Sequence, residues 1–411
     1  MRGSTEGTLR RSEVKEEQSR DPDADNQGIV DKAGDTEELA IGAYYPRAGT
    51  VHTSGIVTYI QETIRHLSGE HTPFLYTEST ATTSELERAG VEVVQIDRNG
   101  FGDAAERLLQ YFGRTGLTTA SVLQERLPPL VAARRDGTFD HLNANLDVVV
   151  THNYLDDILV SNAVDVPVVT IFHSVASVGT GAKLWKRFSN ADGVVANSPH
   201  TADQIERHLD CEVDGVVYPG IDLDTFHPGV DPAFDRDETV VMFAGRFTEE
   251  KGVLDLVDAA ARLSTDYHIC LAGRGDSDRV ESYAADRGVE DSVTVVGSLS
   301  HEVLPRYYRA ADVVCSPTHY DSFCMVNVEA MACGTPVVTT DIDGVTEYAT
   351  DRENALLVTP GDVDALADAL GDVATSPELR ARLGERGRAT AERYSWAQSA
   401  RQLADVCRRT C

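Results

Sequence analysis

The stretch "ADVVCSPTHYDSFCMVNVEAMACGTPVVTT", Ala311 to Thr340, reads as strand, loop, helix and strand. Its two ends are short β-branched runs, and "SFCMVNVEAMAC" between them reads as a helix stopped by Gly334 with Pro336 just beyond. Two carboxylates, Asp321 and Glu329, stand eight residues apart in it. On one helix that interval turns about 80° beyond two full rotations and rises about 12 Å. The pair is therefore too widely spaced to share a proton, and can address opposite ends of one bound molecule. Backbone N–H groups around Phe323, Cys324, Met325 and Val326 would favour a negatively charged group. The plainer alternative makes Asp321 a cap and Glu329 a surface acid.

The same alternation fills most of the chain. "ELAIGAYYP" opens it and leads through a glycine loop to "GIVTYIQETIRHL", where Ile56, Ile60, Ile64 and Leu67 recur at helical spacing. "VEVVQI", "LDVVVTHN", "VPVVTIFHS" and "GVVANSP" follow, then a second series of "TVVMFAG", "YHICLAG", "SVTVVGS", "ADVVCSP", "TPVVTT" and "ALLVTP". Near-continuous apolar strands separated by helices indicate parallel sheets covered on both faces. The class is α/β, with two doubly wound, Rossmann-like domains facing a central cleft. At 411 residues the length suits two domains and a tail. We expect a disordered acidic tail over 1–38, where few large apolar residues could offset ordering entropy. The first domain would cover 39–225 and the second 226–390, with 391–411 a C-terminal helix packing back toward the first. "VVYPGIDLDTFHPGVDPAFDRDET" reads as the region joining the halves.

The formal charge is -30, from 67 acidic and 37 basic residues, and only Lys15, Lys32, Lys183, Lys186 and Lys251 are lysines. Nucleic acid is not expected as a partner, because phosphate backbones reward positive surface. The composition resembles that of salt-in halophiles, such as halophilic archaea; an acidic mesophilic protein is the other reading. Seven scattered cysteines form no C-x-x-C pair and read as core residues of a reducing compartment. No apolar run reaches the roughly 18 to 20 residues of a spanning helix, and no signal-like start is present, so a cytoplasmic protein is expected. "KLWKRF" gathers Lys183, Trp185, Lys186 and Arg187. It suits either an anionic inner membrane face, contacted peripherally, or a helix with one packed and one solvated side.

Ligands of open parallel sheets bind beyond the carboxyl ends of the strands. Arg246 and Lys251 follow the first strand of the second domain, and Lys251 is that domain's only lysine. A planar fork beside a point charge suits a diphosphate, although both cations could simply balance Glu249 and Glu250. His173 and His152 end strands of the first domain, where a ligand-binding role and a structural hydrogen-bonded role are both open.

Together these segments resemble a retaining glycosyltransferase of the GT4 class with the GT-B fold, over nearly all of residues 39 to 400. The E-x7-E motif of that family corresponds to Asp321 through Glu329, followed by "EAMACGTPVV". "FAGRFTEEKG" resembles its diphosphate loop, and "VVYPGIDLDTFHP" its interdomain segment. The resemblance implies transfer of a hexose from a nucleotide-diphosphate sugar to a hydroxyl of a glycan, lipid-linked glycan or glycolipid, without metal or other cofactor. Arg246 and Lys251 would neutralise the diphosphate, and the Gly55 loop would lie near it. Glu329 would hold the ribose, and Asp321 the transferred sugar. The backbone of Phe323, Cys324, Met325 and Val326 would hold sugar hydroxyls or the distal phosphate, and His173 would touch the sugar near the reaction centre. Departures from the family pattern are the shorter acid Asp321, Cys324 and Asp343 in place of glycines, and Ala355 in place of another. A nucleotide-sugar epimerase and a silent sugar-nucleotide binder remain alternatives.

Overall fold

Two all-parallel sheets form the framework. A computed structural model of the chain describes residues 37–49, 55–97, 132–175, 180–263 and 266–411. The tail expected over 1–38 thus lies outside the described residues, apart from its last two positions.

In the first half the strands are β1 (Ala40–Tyr44), β2 (Thr72–Thr77), β3 (Glu92–Gln95), β4 (Val148–Thr151), β5 (Val168–Phe172), β6 (Gly193–Ala196) and β7 (Gly215–Val216). Their spatial order is β3-β2-β1-β4-β5-β6-β7. In the second half β8 (Thr239–Ala244), β9 (Tyr267–Ala272), β10 (Val293–Gly297), β11 (Val313–Ser316), β12 (Val337–Thr340) and β13 (Leu356–Val358) lie in the order β10-β9-β8-β11-β12-β13. Both sheets belong to one unit, Leu39–Cys411. The strand order reverses direction beside β1 and β4, and again beside β8 and β11. A crevice opens at such reversals, beyond the carboxyl ends of the strands.

Composition explains the layering. Every residue of β4, β5, β6, β11 and β12 is buried, as expected of strands covered on both faces. Helix Gly55–Leu67 buries Val57, Tyr59, Ile60, Ile64 and Leu67, while Ile56 turns to the crevice. The last helix, Trp396–Thr410, lays Trp396, Ala400, Leu403 and Cys407 into the same core as Ile60 and Ile64 of the first half.

Three sequence readings change. Strand β2 was not expected, because "HTPFLYTEST" carries Pro73 and turn-like residues; Pro73 is tolerated as the second residue of the strand. The helix after β11 spans only Met325–Ala332, so Asp321 lies outside it. Asp321 Oδ1 accepts the N–H of Phe323, a side-chain turn that competes with helix, and Cys324 has a left-handed φ of 48°. The segment with Lys183, Trp185, Lys186 and Arg187 takes the second of its two readings, a helix with one packed and one solvated side, which removes Trp185 from the residues open to a membrane. Lys183, Lys186 and Arg187 are exposed, but Trp185 is buried, packed edge-on against Phe172 at 4.9 Å and donating its indole N–H to Asp157. An indole buried in protein needs such an acceptor, and it is lost to a membrane surface.

Candidate active site

A cavity of about 260 Å³ lies between the two halves. The first half contributes Gly55, Ile56, Tyr59, His173, Ser174 and Asn197, and the second Arg246, Glu250, Lys251 and the run Tyr320 to Met325, with Pro219 from the joining segment. Of the residues singled out from sequence, Gly55, His173, Arg246, Lys251, Asp321, Phe323, Cys324 and Met325 meet there. Val326 and Glu329 do not line it.

The loop after β8 meets the loop after β11 through backbone contacts. His319 N–H and the Thr318 hydroxyl both donate to the carbonyl of Glu250, at 2.8 and 3.1 Å. Gly252 follows with φ 66°, and a Cβ there would stand 1.9 Å from the Pro317 carbonyl oxygen. Only glycine allows this approach. Lys251 is thereby brought to Asp321, with Nζ donating to Oδ2 at 2.6 Å. Burial works to raise the Asp321 carboxyl, but the charge and hydrogen bond of Lys251, with the N–H groups of Cys324 and Phe323, outweigh it and hold it below the ordinary range. Arg246 is largely exposed and sits 3.6 Å from Glu250. Gly344 lies against the same loop, where a Cβ would meet the Asp321 carbonyl oxygen at 2.3 Å.

Across the cavity, His173 and His152 end neighbouring strands. His152 Nδ1 and His173 Nε2 are 3.1 Å apart, and Tyr59 packs edge-on against both rings. Burial pushes His173 down to about 4. Burial, then the charge of His173, pushes His152 well below its ordinary value. Both are neutral at pH 7, so one proton is shared between the facing nitrogens. Tyr59 donates its hydroxyl to the Val217 carbonyl at 2.9 Å, which fixes the wall. Beyond His173 a second cavity of about 170 Å³ is lined by His152, Asn153, Tyr154 and Ser174 among others.

Glu329 is buried in its helix, accepting the Tyr308 hydroxyl at 2.9 Å. Burial raises its carboxyl, against the lowering effects of His301 and of the Tyr308 hydrogen bond. Sequence reasoning passed over Tyr59, Asn197 and Tyr320. Asn197 was findable, since it ends the strand of "GVVANSP" as His173 ends that of "VPVVTIFHS". Among the described residues no three His, Cys, Asp or Glu side chains gather as a metal set, and no helix is long and apolar enough to cross a membrane.

Two facing Rossmann-like halves with a cavity at both strand reversals form a GT-B architecture. Residues 230–390 match the family described as Glycosyl transferases group 1, and residues 53–225 match Glycosyltransferase Family 4. The chain belongs to this glycosyltransferase family and is an enzyme of that class. It is similar to D-inositol 3-phosphate glycosyltransferase of Xylanimonas cellulosilytica, 30% identical over 399 residues that cover 87% of this chain and 92% of that protein. Among solved structures, sucrose-phosphate synthase from Thermosynechococcus elongatus superposes with a TM-score of 0.73 at 22% identity, covering 90% of this chain and 99% of that one. Anabaena Alr3699/HepE in complex with UDP-glucose gives 0.71 at 18% identity, over 90% of this chain and 100% of that one. At these identities the two structures speak for the fold.

Proposed function

We propose that the enzyme moves a hexose from a nucleotide-diphosphate sugar to an acceptor hydroxyl, with retention at the anomeric carbon and without a metal ion. The observation that carries this reading is Lys251, the lone lysine of its half, held half-buried at the strand reversal opposite His173. Bond breaking at the anomeric carbon leaves an oxocarbenium-like centre and a departing diphosphate, and stabilising the departing charge is the main task. Lys251, Arg246 and the helix N-terminus at Met325 supply positive potential there. Asp321 orients Lys251, and its remaining lone pairs accept a sugar hydroxyl. The acceptor oxygen attacks from the face the diphosphate leaves, and its proton passes to a phosphate oxygen of the leaving group. His173, neutral, contacts the sugar. Glu329 lies toward the ribose, beyond the cavity as it stands.

A uridine-diphosphate donor is supported by the Anabaena structure with UDP-glucose, and a phosphorylated cyclitol joins glycans and glycolipids as a candidate acceptor through the name of the Xylanimonas relative. We place the first domain at 39–225, the second at 226–390 and the returning helix within 391–411. The acidic, lysine-poor composition supports a salt-adapted, cytoplasmic enzyme, whereas the relative reported above is bacterial, which gives no support to an archaeal source. Peripheral membrane contact would fall to Lys183, Lys186 and Arg187 with the half-exposed Phe188.

Transfer should be assayed with a panel of nucleotide sugars and acceptors, and the product's anomeric coupling read by NMR. Lys251→Ala and Glu329→Ala are each expected to lower kcat/KM about 100-fold or more, Lys251→Ala with an unfolding midpoint near wild type and Glu329→Ala with a lower one, because the Tyr308 hydroxyl loses its buried acceptor. Near-normal turnover in both would overturn the site, and an inverted product would overturn retention.

A further inference from the structure

We infer that Asn197 is a sugar-contacting residue, supplied to the donor by the first half of the molecule. The inference rests on the nucleotide-sugar reading above and extends it to a specificity-determining side chain.

Asn197 follows β6, next to His173 at the end of β5. Its backbone N–H donates to the Phe172 carbonyl at 3.1 Å, so the residue is locked to the sheet edge. The side chain is 4% exposed and lines the cavity. A hydrogen-bond chain settles which way its amide faces. The Thr201 N–H donates to Ser198 Oγ at 3.1 Å, and Ser198 Oγ donates to Thr201 Oγ1 at 3.0 Å. The single hydroxyl proton of Thr201 is then spent on Asn197 Oδ1, at 2.8 Å. The carbonyl end of the amide is therefore held inward, and the NH2 end faces the cleft.

Across the cleft, among the described residues, that NH2 meets Ser322 Oγ at 3.4 Å, the long limit for a hydrogen bond. Two N–H donors thus face one weak acceptor in a buried setting, where an unmet donor is costly. Asn197 and Asp321 both line this cavity, so a donor from one half and a carboxylate acceptor from the other open into the same space. A hydroxyl is the group that fits both, accepting from Asn197 and donating to Asp321. A diphosphate oxygen could accept from the amide but has no proton to donate to the carboxylate, whereas a hydroxyl does both. The geometry points to one hydroxyl of the transferred hexose.

The test is calorimetric binding of UDP-glucose, UDP-N-acetylglucosamine and GDP-mannose, with UDP and GDP alongside, to wild type, Asn197→Ala and Asn197→Ser. Two variants are used so that a folding defect in one leaves the other, each checked by its unfolding midpoint. The sugar nucleotide that wild type selects should bind the variants about tenfold more weakly, while the matching free diphosphate changes less than twofold. Deoxy analogues of the selected donor should then show one position whose removal weakens wild type but not the variants. Unchanged affinity for the sugar nucleotide would overturn the assignment, as would equal weakening of sugar nucleotide and free diphosphate. Wild type binding nothing in the panel would overturn the nucleotide-sugar reading itself, and this inference with it.

Discussion

Lys251 and Asp321 stand 70 residues apart in the chain and 2.6 Å apart in space. Both side chains are about one-fifth exposed, so the pair is poorly screened and each partner sets the charge the other presents. An incoming diphosphate must compete with the Asp321 carboxylate for Lys251. Asp321→Asn keeps the carbonyl that turns the loop at Phe323 but removes the competing charge. We expect it to bind free nucleoside diphosphate about three- to tenfold more tightly by calorimetry and to transfer sugar more slowly, since a carboxylate acceptor for the sugar hydroxyl is lost. Weaker diphosphate binding would mean that Lys251 depends on the carboxylate for its position. The carboxylate is one methylene shorter than the glutamate of the E-x7-E pattern, a departure plain from the sequence; its engagement with Lys251 was not, because periodicity carries no information about such distant partners.

Among the elements, helix Thr180–Phe188 shows how one buried acid can seat a segment. Asp157 accepts hydrogen bonds from Thr151, Thr170, Trp185 and Ser189, joining β4, β5 and this helix. Burial raises its carboxyl against those four lowering contacts, so the helix is held by a fully engaged polar centre. Asp157→Ala should cost about 3 kcal/mol or more in urea unfolding, because four donors lose their acceptor in a dry site. A loss below about 1 kcal/mol would show that the donors find other partners. From sequence, "KLWKRF" is legible as an amphipathic helix, but which face Trp185 takes depends on Asp157, 28 residues away. The strands were more legible, since unbroken β-branched runs are a local signal; β2 escaped through Pro73 and β7 because two residues carry no periodicity.

Across the whole molecule the halves are also tied through His200, Glu347 and Asp343. The His200 N–H donates to Glu347 Oε1 at 2.6 Å, and His200 Nδ1 lies 3.2 Å from Asp343, one of the positions departing from the family pattern. Burial pushes Glu347 up to about 7, opposed by the His200 N–H and reinforced by Asp343. The folded protein therefore holds a proton here that the unfolded chain releases above its ordinary value of 4.5. The resulting stability is present below pH 4.5 and is lost as pH rises through about 7. Glu347→Gln, a permanent mimic of the neutral acid, should lose less stability than wild type between pH 5 and 8. The difference is on the order of 1 kcal/mol, about 2 to 4 °C in Tm. Parallel melting curves for the two proteins would remove Glu347 from the linkage.

The amino-acid sequence by itself determined two parallel α/β halves, and it placed Arg246, Lys251, Asp321 and His173 at strand ends, because strand composition and turn residues are local properties of the chain. It also carried the family motifs in their order. Folding alone decided that Lys251 pairs with Asp321, that His173 shares a proton with His152, that Glu329 accepts the Tyr308 hydroxyl, and that the Asn197 amide faces the cleft. Each of these rests on contacts between segments remote in sequence, where a side chain's partner follows from how the sheets bring strand ends together.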